Sequence, residues 1–197
     1  MKNLKLFNSI GARFLLIAVF LLPLIAGFTS PAAAAPDNSP GAVYTLTNAA
    51  SGNEVLAYSR SADGSLTFQG SYSTGGLGSG AGLGSQSAVL LTKNNQWLYA
   101  VNAGSNQISA FSVNGSGLEL VDVIDSGGVR PISLTVYKDW LYVLNVGDSG
   151  NISGFSIGQD GSLSALAGST QPVSNGGVGA GSGADRLQFR WQHAGRN

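Results

Sequence analysis

Acid–base, nucleophilic or metal chemistry needs imidazole, carboxylate, thiol or hydroxyl groups gathered at one place. This sequence offers few. His193 is its single histidine, and cysteine is absent. One imidazole in an irregular tail cannot build a Ser-His-Asp arrangement or a metal site, so His193 reads as an accidental residue. Asp148-Ser149-Gly150-Asn151 presents oxygen ligands of the kind calcium takes. A lone carboxylate is too little for a cage, and a strand-linking turn is the better reading. Asp122, Asp125 and Arg130 could line a central channel if the chain forms one, or serve as ordinary solvated strand and loop residues, which is preferred. The run Gly76 to Gly84 resembles a phosphate loop in composition, but such a loop stands between a strand and a helix. Here the β-like run Ala88 to Leu91 follows, so the glycines read as a loop between repeats. Asn114-Gly115-Ser116 and Asn151-Ile152-Ser153 match the glycosylation sequon, a weak signal. Tyr99 and Tyr142, beside Trp97 and Trp140, read as packing aromatics rather than sugar platforms. No residue is assigned as catalytic, cofactor-binding or metal-ligating, and no cofactor is expected.

The elements that would position these groups begin after the first segment. Lys2, Lys5 and Arg13 precede the apolar run Phe14 to Phe28, and Ala32 to Ala35 follow. That order describes a secretory signal peptide over residues 1–34, with cleavage after Ala34 and a secreted or periplasmic product. The apolar run is short for a bilayer span, which takes about 20 residues, so no membrane contact is expected after cleavage. Residues 35–42 form a linker. Charged residues make up only 10% of the chain and the net charge is zero, which argues against a nucleic-acid partner. Twenty-nine glycines, spread between strand-like runs without a collagen period, point to many turns and an all-β fold.

Three copies of one unit follow one another. The first holds Val43-Tyr44-Thr45-Leu46-Thr47-Asn48, then Asn53 to Ser59, Asp63-Gly64-Ser65-Leu66 and Gly75-Gly76. The second holds Leu98-Tyr99-Ala100-Val101-Asn102, then Asn106 to Ser112, Ser116-Gly117-Leu118 and Gly127-Gly128. The third holds Leu141-Tyr142-Val143-Leu144-Asn145, then Asn151 to Ser156, Asp160-Gly161-Ser162-Leu163 and Gly176-Gly177. Short strands repeating about every 40 to 50 residues are the signature of propeller blades. The LYVLN run predicts a buried strand, apolar on both faces because blades pack on both sides. The following run alternates with a period of two, as a strand does. Asp-Gly supplies the positive φ of a tight hairpin. Ser87 to Leu91 and Ile132 to Val136 predict one more strand before each LYxxN, giving four antiparallel strands per blade and almost no helix.

The run from Pro131 to Val136, with LYVLN, Gly150 to Ser156 and Asp160 to Ser164, resembles the lactonase-type seven-bladed propeller family, which includes 6-phosphogluconolactonase-like and carboxymuconate-cyclase-like proteins. The resemblance covers roughly Val43 to Gly177. It implies a ring of seven blades and a small-molecule lactone as substrate of a complete parent. The family's charged and histidine residues around the central channel map onto no position here, so the resemblance implies a lactonase-like fold and a chain inactive by itself. The alternative is a non-catalytic exported propeller module for binding or scaffolding.

Residues 43–177 therefore read as a partial β-propeller of about three blades, and 178–197 as an irregular tail. The repeat predicts a strand, a hairpin and another strand after Gly176-Gly177, but the chain continues SGADRLQFRWQHAGRN from Ser182. One allowed back-translation of Ser182 to Asn197, shifted by one base, reads PAQIAFSSGGNTLVVT and aligns without a gap to Gln86–Val101. A frameshift near Val178 to Gly181 is the expectation, and the coding DNA would decide it against a genuine short terminus. Blades bury their faces only against neighbours. A row of three thus predicts self-association through its open faces.

Overall fold

A computed structural model of the chain describes residues 40–173. The signal-peptide segment, most of the linker, Gly176-Gly177 and the tail with His193 lie outside the described residues. Among the described residues there is no helix. The strands are β1 Gly41–Leu46, β2 Glu54–Arg60, β3 Leu66–Ser73, β4 Val89–Leu91, β5 Trp97–Asn102, β6 Gln107–Asn114, β7 Gly117–Asp125, β8 Pro131–Tyr137, β9 Trp140–Asn145, β10 Asn151–Ile157, β11 Leu163–Ala165 and β12 Gln171–Pro172.

They form three antiparallel sheets in chain order. The second runs β4-β5-β6-β7, the four-stranded meander that the repeat predicts. The first holds β1-β2-β3 among the described residues, with β1 starting at Gly41, ahead of the expected Val43. The third runs β8-β9-β10-β11, and β12 pairs with β10 beyond β11. Its outermost strand is thus split in two. The split falls where the other sheets carry a bulge, between Ala57 and Tyr58 and between Ala110 and Phe111. Register makes Ala57, Ala110 and Gly154 equivalent, so each outer strand is interrupted at the same height, with a longer excursion in the third sheet.

The LYxxN strands lie second in their sheets and are apolar on both faces, as the sequence predicts. Leu98, Tyr99, Ala100 and Val101 are all fully buried. Alternation sends them to two cores. Leu98 and Ala100 join Phe111 and Leu118 against Val55, Tyr44 and Tyr72 of the first sheet. Tyr99 and Val101 join Ile108 and Ala110 against Leu141, Val143, Phe155 and Leu163 of the third. Each face-to-face layer buries several large side chains, worth about 1.5–3 kcal/mol apiece. Every sheet therefore has a front face, holding Tyr44, Tyr99 or Tyr142, and a back face, holding Val43, Leu98 or Leu141. The front of one sheet meets the back of the next.

The Asp-Gly turns close as expected. Gly64 and Gly161 have φ of 87° and 80°, and their amides bond back to the carbonyls of Ser61 and Gly158. That is a tight turn finished by a left-handed residue, the geometry glycine tolerates.

Candidate functional site

The register puts the start of β4 and β8, the end of β5 and β9 and the end of β3 and β7 at one end of the sheets. The inter-sheet connections 74–88 and 126–130 and the turns 47–53, 103–106 and 146–150 lie there. The short hairpins lie at the other end.

At the connection end, the asparagine closing each LYxxN strand reaches into the preceding sheet. Asn102 Oδ1 accepts from Thr74 Oγ1 at 2.7 Å and from Asn53 Nδ2 at 2.9 Å, while its own Nδ2 donates to Ser109 Oγ at 2.7 Å. Ser109 in turn donates to the Thr74 carbonyl at 2.7 Å. All four side chains are buried. One junction later Asn145 repeats the device. Its Oδ1 accepts from Ser126 Oγ at 2.8 Å and its Nδ2 donates to Asn151 Oδ1 at 2.7 Å. Thr74 and Ser126 each precede a Gly-Gly pair. A Cβ on Gly76 would overlap the Asn102 amide, and one on Gly128 would lie 2.6 Å from Asn145 Nδ2. The glycines are required because the next sheet's asparagine occupies the space a side chain would need. Among the described residues no buried side-chain nitrogen or oxygen lacks a partner. This latch was not anticipated from the sequence. Its signal was present in the repeated terminal asparagine and the repeated Gly-Gly.

Beside the first latch, the loop after Gly76 folds over the edge of β1. Asn48, at φ 50°, donates through Nδ2 to Ser79 Oγ at 2.8 Å and to the Ala81 carbonyl, and its Oδ1 accepts from the Ser79 amide at 2.9 Å. A cleft of about 650 Å³ opens there, with Thr45, Thr47, Asn48, Ser85, Gln86 and Ser87 among its lining. Its lining side chains are hydroxyl, amide and aliphatic groups, none of them titratable. Such a wall can hydrogen-bond a polyhydroxylated molecule. It supplies no general base to activate water.

The hairpin end has a second cleft, between the second and third sheets, whose lining includes Lys93, Trp97, Lys138 and Asp139. Lys138 Nζ stands 5.5 Å from the Tyr137 ring centroid, within range of a cation–π contact. Nearby, Tyr99 donates its hydroxyl to the Gly161 carbonyl at 3.1 Å, and a Cβ on Gly161 would overlap the Trp97 ring. Burial, and after it the Asp160 charge, pushes the Tyr99 phenol well above its ordinary range. Hydrogen bonds from the Ser162 hydroxyl and then its amide hold Asp160 below the usual carboxylate range, and Ser65 does the same for Asp63. Tyr99 and Trp97 pack the second sheet on the third, as the sequence suggests, whereas Trp140, read in the same way, is 42% exposed.

The other candidates fall into structural roles. Asp122 accepts the Leu163 amide through Oδ2 at 3.0 Å, tying β7 to β11. Asp125 Oδ1 accepts from the Gly127 amide at 2.7 Å. Arg130, at φ 58°, donates its amide to Asn106 Oδ1 at 2.8 Å. Asp148, at φ 53°, sits in a turn closed by the Gly150 amide on the Gly147 carbonyl. Among the described residues no three His, Cys, Asp or Glu side chains come together as a metal site would require. The Gly76–Gly84 run leads into β4 with no helix. In the sequon at Asn151, Nδ2 already donates to the Gly127 carbonyl at 3.0 Å, while Asn114 folds its Oδ1 onto Ser116 in a hairpin.

Comparison with known proteins agrees with this architecture. No curated protein matches the chain significantly. Among solved structures, a candidate 6-phosphogluconolactonase from Bacteroides uniformis superposes with a TM-score of 0.56 at 20% identity, covering 67% of this chain and 37% of that one. A functionally unknown protein from Desulfotomaculum acetoxidans gives 0.51 at 19% identity, covering 67% and 42%. A periplasmic gluconolactonase from Pseudomonas aeruginosa gives 0.50 at 20% identity, covering 70% and 42%. At such identities the likeness is one of fold. The chain spans less than half the length of each of these structures. Residues 42–178 also match the family model described as a lactonase 7-bladed beta-propeller. Stacked four-stranded meanders and that match over most of the sequence together place the chain in the seven-bladed β-propeller lactonase family.

Proposed function

We propose that the chain is an exported, lactonase-like propeller portion that does not open lactones by itself. The observation carrying this reading is the lining of the connection-end cleft. Threonine, serine, asparagine and glutamine side chains there suit the hydroxyls of a sugar lactone, and no lining side chain is titratable. Accelerating water attack on a lactone near neutral pH above its spontaneous rate calls for a base or a metal-bound hydroxide. In a complete ring that group would come from other blades. The same neutral, polar wall favours a second reading, a non-catalytic exported module that binds a polyhydroxylated ligand.

Export is supported by the basic start, the apolar run and the alanine site ending at Ala34. The periplasmic character of the Pseudomonas aeruginosa relative is in keeping with it. The test uses material recovered from the exported fraction of a Gram-negative host, with its N-terminus sequenced. The expected start is Ala35. Opening of 6-phosphoglucono-δ-lactone and of glucono-δ-lactone is then followed by proton release. No acceleration over the spontaneous rate is expected. Saturable turnover would overturn the inactive reading, and retention of the leader would overturn export. Saturable binding without turnover would favour the second reading.

A further inference from the structure

We infer that Asn114 is a site of self-catalysed deamidation, in which the backbone nitrogen of Gly115 closes a succinimide ring on the Asn114 side chain and water opens that ring to aspartate and isoaspartate.

The hairpins joining β2 to β3, β6 to β7 and β10 to β11 are closed by the same side-chain turn. Asp63 Oδ1 accepts from the Ser65 amide at 2.9 Å and from its hydroxyl at 2.7 Å. Asp160 Oδ1 accepts from the Ser162 amide at 3.1 Å and from its hydroxyl at 2.6 Å. Asn114 Oδ1 takes the same two bonds from Ser116, at 2.9 Å and 2.7 Å. In each turn a glycine and a serine follow, and the second turn alone carries an amide where the others carry an acid.

That difference decides reactivity. An ionised carboxylate resists a nucleophile, and the serine donors keep Asp63 and Asp160 ionised by holding both below the usual carboxylate range. A neutral carboxamide is electrophilic. The same two donors polarise its carbonyl and stabilise the oxyanion that attack creates. The nucleophile belongs to the next residue, so attack is intramolecular. Asn114, Gly115 and Ser116 are all exposed. Among the described residues neither Asn114 Nδ2 nor the Gly115 amide has a hydrogen-bond partner, which leaves both leaving group and nucleophile unengaged. Nothing lies within 4 Å of a Cβ built on Gly115, and the glycine sets no side chain of its own against the closing ring. Among the described residues Asn114 is the only asparagine followed by glycine. Asn102 and Asn145 are buried and held in their latches.

The step balances with water as the sole co-reactant. The Gly115 nitrogen bonds to Asn114 Cγ, its proton passes through solvent to Nδ2, and the Cγ–Nδ2 bond breaks to release ammonia. Water then adds to either ring carbonyl, with no change of oxidation state. Breaking the bond from nitrogen to Cγ gives aspartate, in a turn like those of Asp63 and Asp160. Breaking the bond from nitrogen to the Asn114 main-chain carbonyl gives isoaspartate, whose chain runs through the side chain. The isoaspartate form lengthens a hairpin in which Asn114 pairs with Gly117, where a Cβ would already overlap the Tyr72 ring of β3.

The test ages the leader-processed full chain in buffer at neutral and at mildly alkaline pH. Peptide mapping reads each asparagine, and enzymatic methylation detects isoaspartate. Asn114 should convert ahead of every other asparagine in residues 40–173. Conversion should be faster at the higher pH, since the amide nitrogen attacks as its conjugate base. Both isoaspartate and aspartate should form, because direct hydrolysis of the side chain gives aspartate alone. Gly115 lies outside the left-handed region and has open space around it, so Gly115→Ala should keep the far-ultraviolet dichroism spectrum and slow conversion severalfold. Asn114→Asp should fold alike and gain no isoaspartate over the same period. Asn175-Gly176 falls in a different tryptic peptide and is scored by itself. An Asn114 that stays intact while Asn94 or Asn95 converts would overturn the inference. So would aspartate without isoaspartate, or a folded Gly115→Ala that converts at the wild-type rate. If Gly115→Ala misfolds, the isoaspartate content of the aged wild type decides.

Discussion

Asn102 is the residue on which the first junction turns. Replacing it with alanine removes an acceptor from Thr74 and Asn53 and a donor from Ser109, all buried. Each keeps one other partner, so Asn102→Ala should cost about 1–3 kcal/mol rather than abolish folding. Denaturant unfolding measures this, with exposed Gln69→Ala as a control that should move stability by no more than about 0.5 kcal/mol. Tyr99 gives a second residue-scale expectation. Its phenol is pushed above the ordinary tyrosine value of 10.0 in the folded state, by burial first and then by the Asp160 charge. Below about pH 10 both folded and unfolded forms keep the proton, so stability is unaffected. Above that, the unfolded chain releases it first, and stability falls as pH rises towards the folded-state value. Alkaline difference spectroscopy should find Tyr99 the last of the chain's tyrosines to ionise, and Tyr99→Phe should remove its share of the alkaline loss.

Protection of the strands should follow their place in the stack. β5 and β6 are flanked by strands on both sides and by sheets on both faces, and five of the six residues in β5 are buried. β1 carries no buried residue, and none of β3 is buried either. Amide hydrogen exchange should therefore be slowest in β5, β6 and β9 and fastest in β1 and β3. Equal protection in β1 and β5 would contradict the one-sided packing of the first sheet. The strands were legible in the sequence because LYAVN and LYVLN are apolar through and through and the next run alternates. The alternating strand β6 still packs on both faces, with Ile108 and Ala110 in one core and Phe111 in the other. The split between β11 and β12 was not legible, since Leu166-Ala167-Gly168-Ser169-Thr170 between them mixes apolar and polar residues as an outer strand or a turn would. The latch escaped for a different reason. Gly76 and Asn102 read separately as a turn and a strand end, and only the stacking of sheets brings them together. Asp122, Asp125 and Arg130 looked like channel candidates because charge is scarce in this chain, yet Asp125 closes a local turn, the Arg130 amide is held by Asn106 of another turn, and Asp122 ties β7 of the second sheet to β11 of the third.

At the scale of the molecule, the sheets form a line in which each is held by the one behind and holds the one ahead. With ten basic and ten acidic side chains and a pI near 6.5, net charge does little to keep copies apart near neutral pH.

The Gly-Gly and asparagine pairs carry a consequence in time. A ribosome delivers Thr74, Gly75 and Gly76 well before Asn102, and Ser126 to Gly128 before Asn145. Each repeat is therefore born with its clasp undone, and the one synthesised after it fastens it. A nascent chain stalled between Gly128 and Asn145 should hold its second sheet loosely although that sheet's own residues are complete. Maturation of this architecture proceeds one repeat behind translation, and a lesion in one repeat is felt first by its elder neighbour.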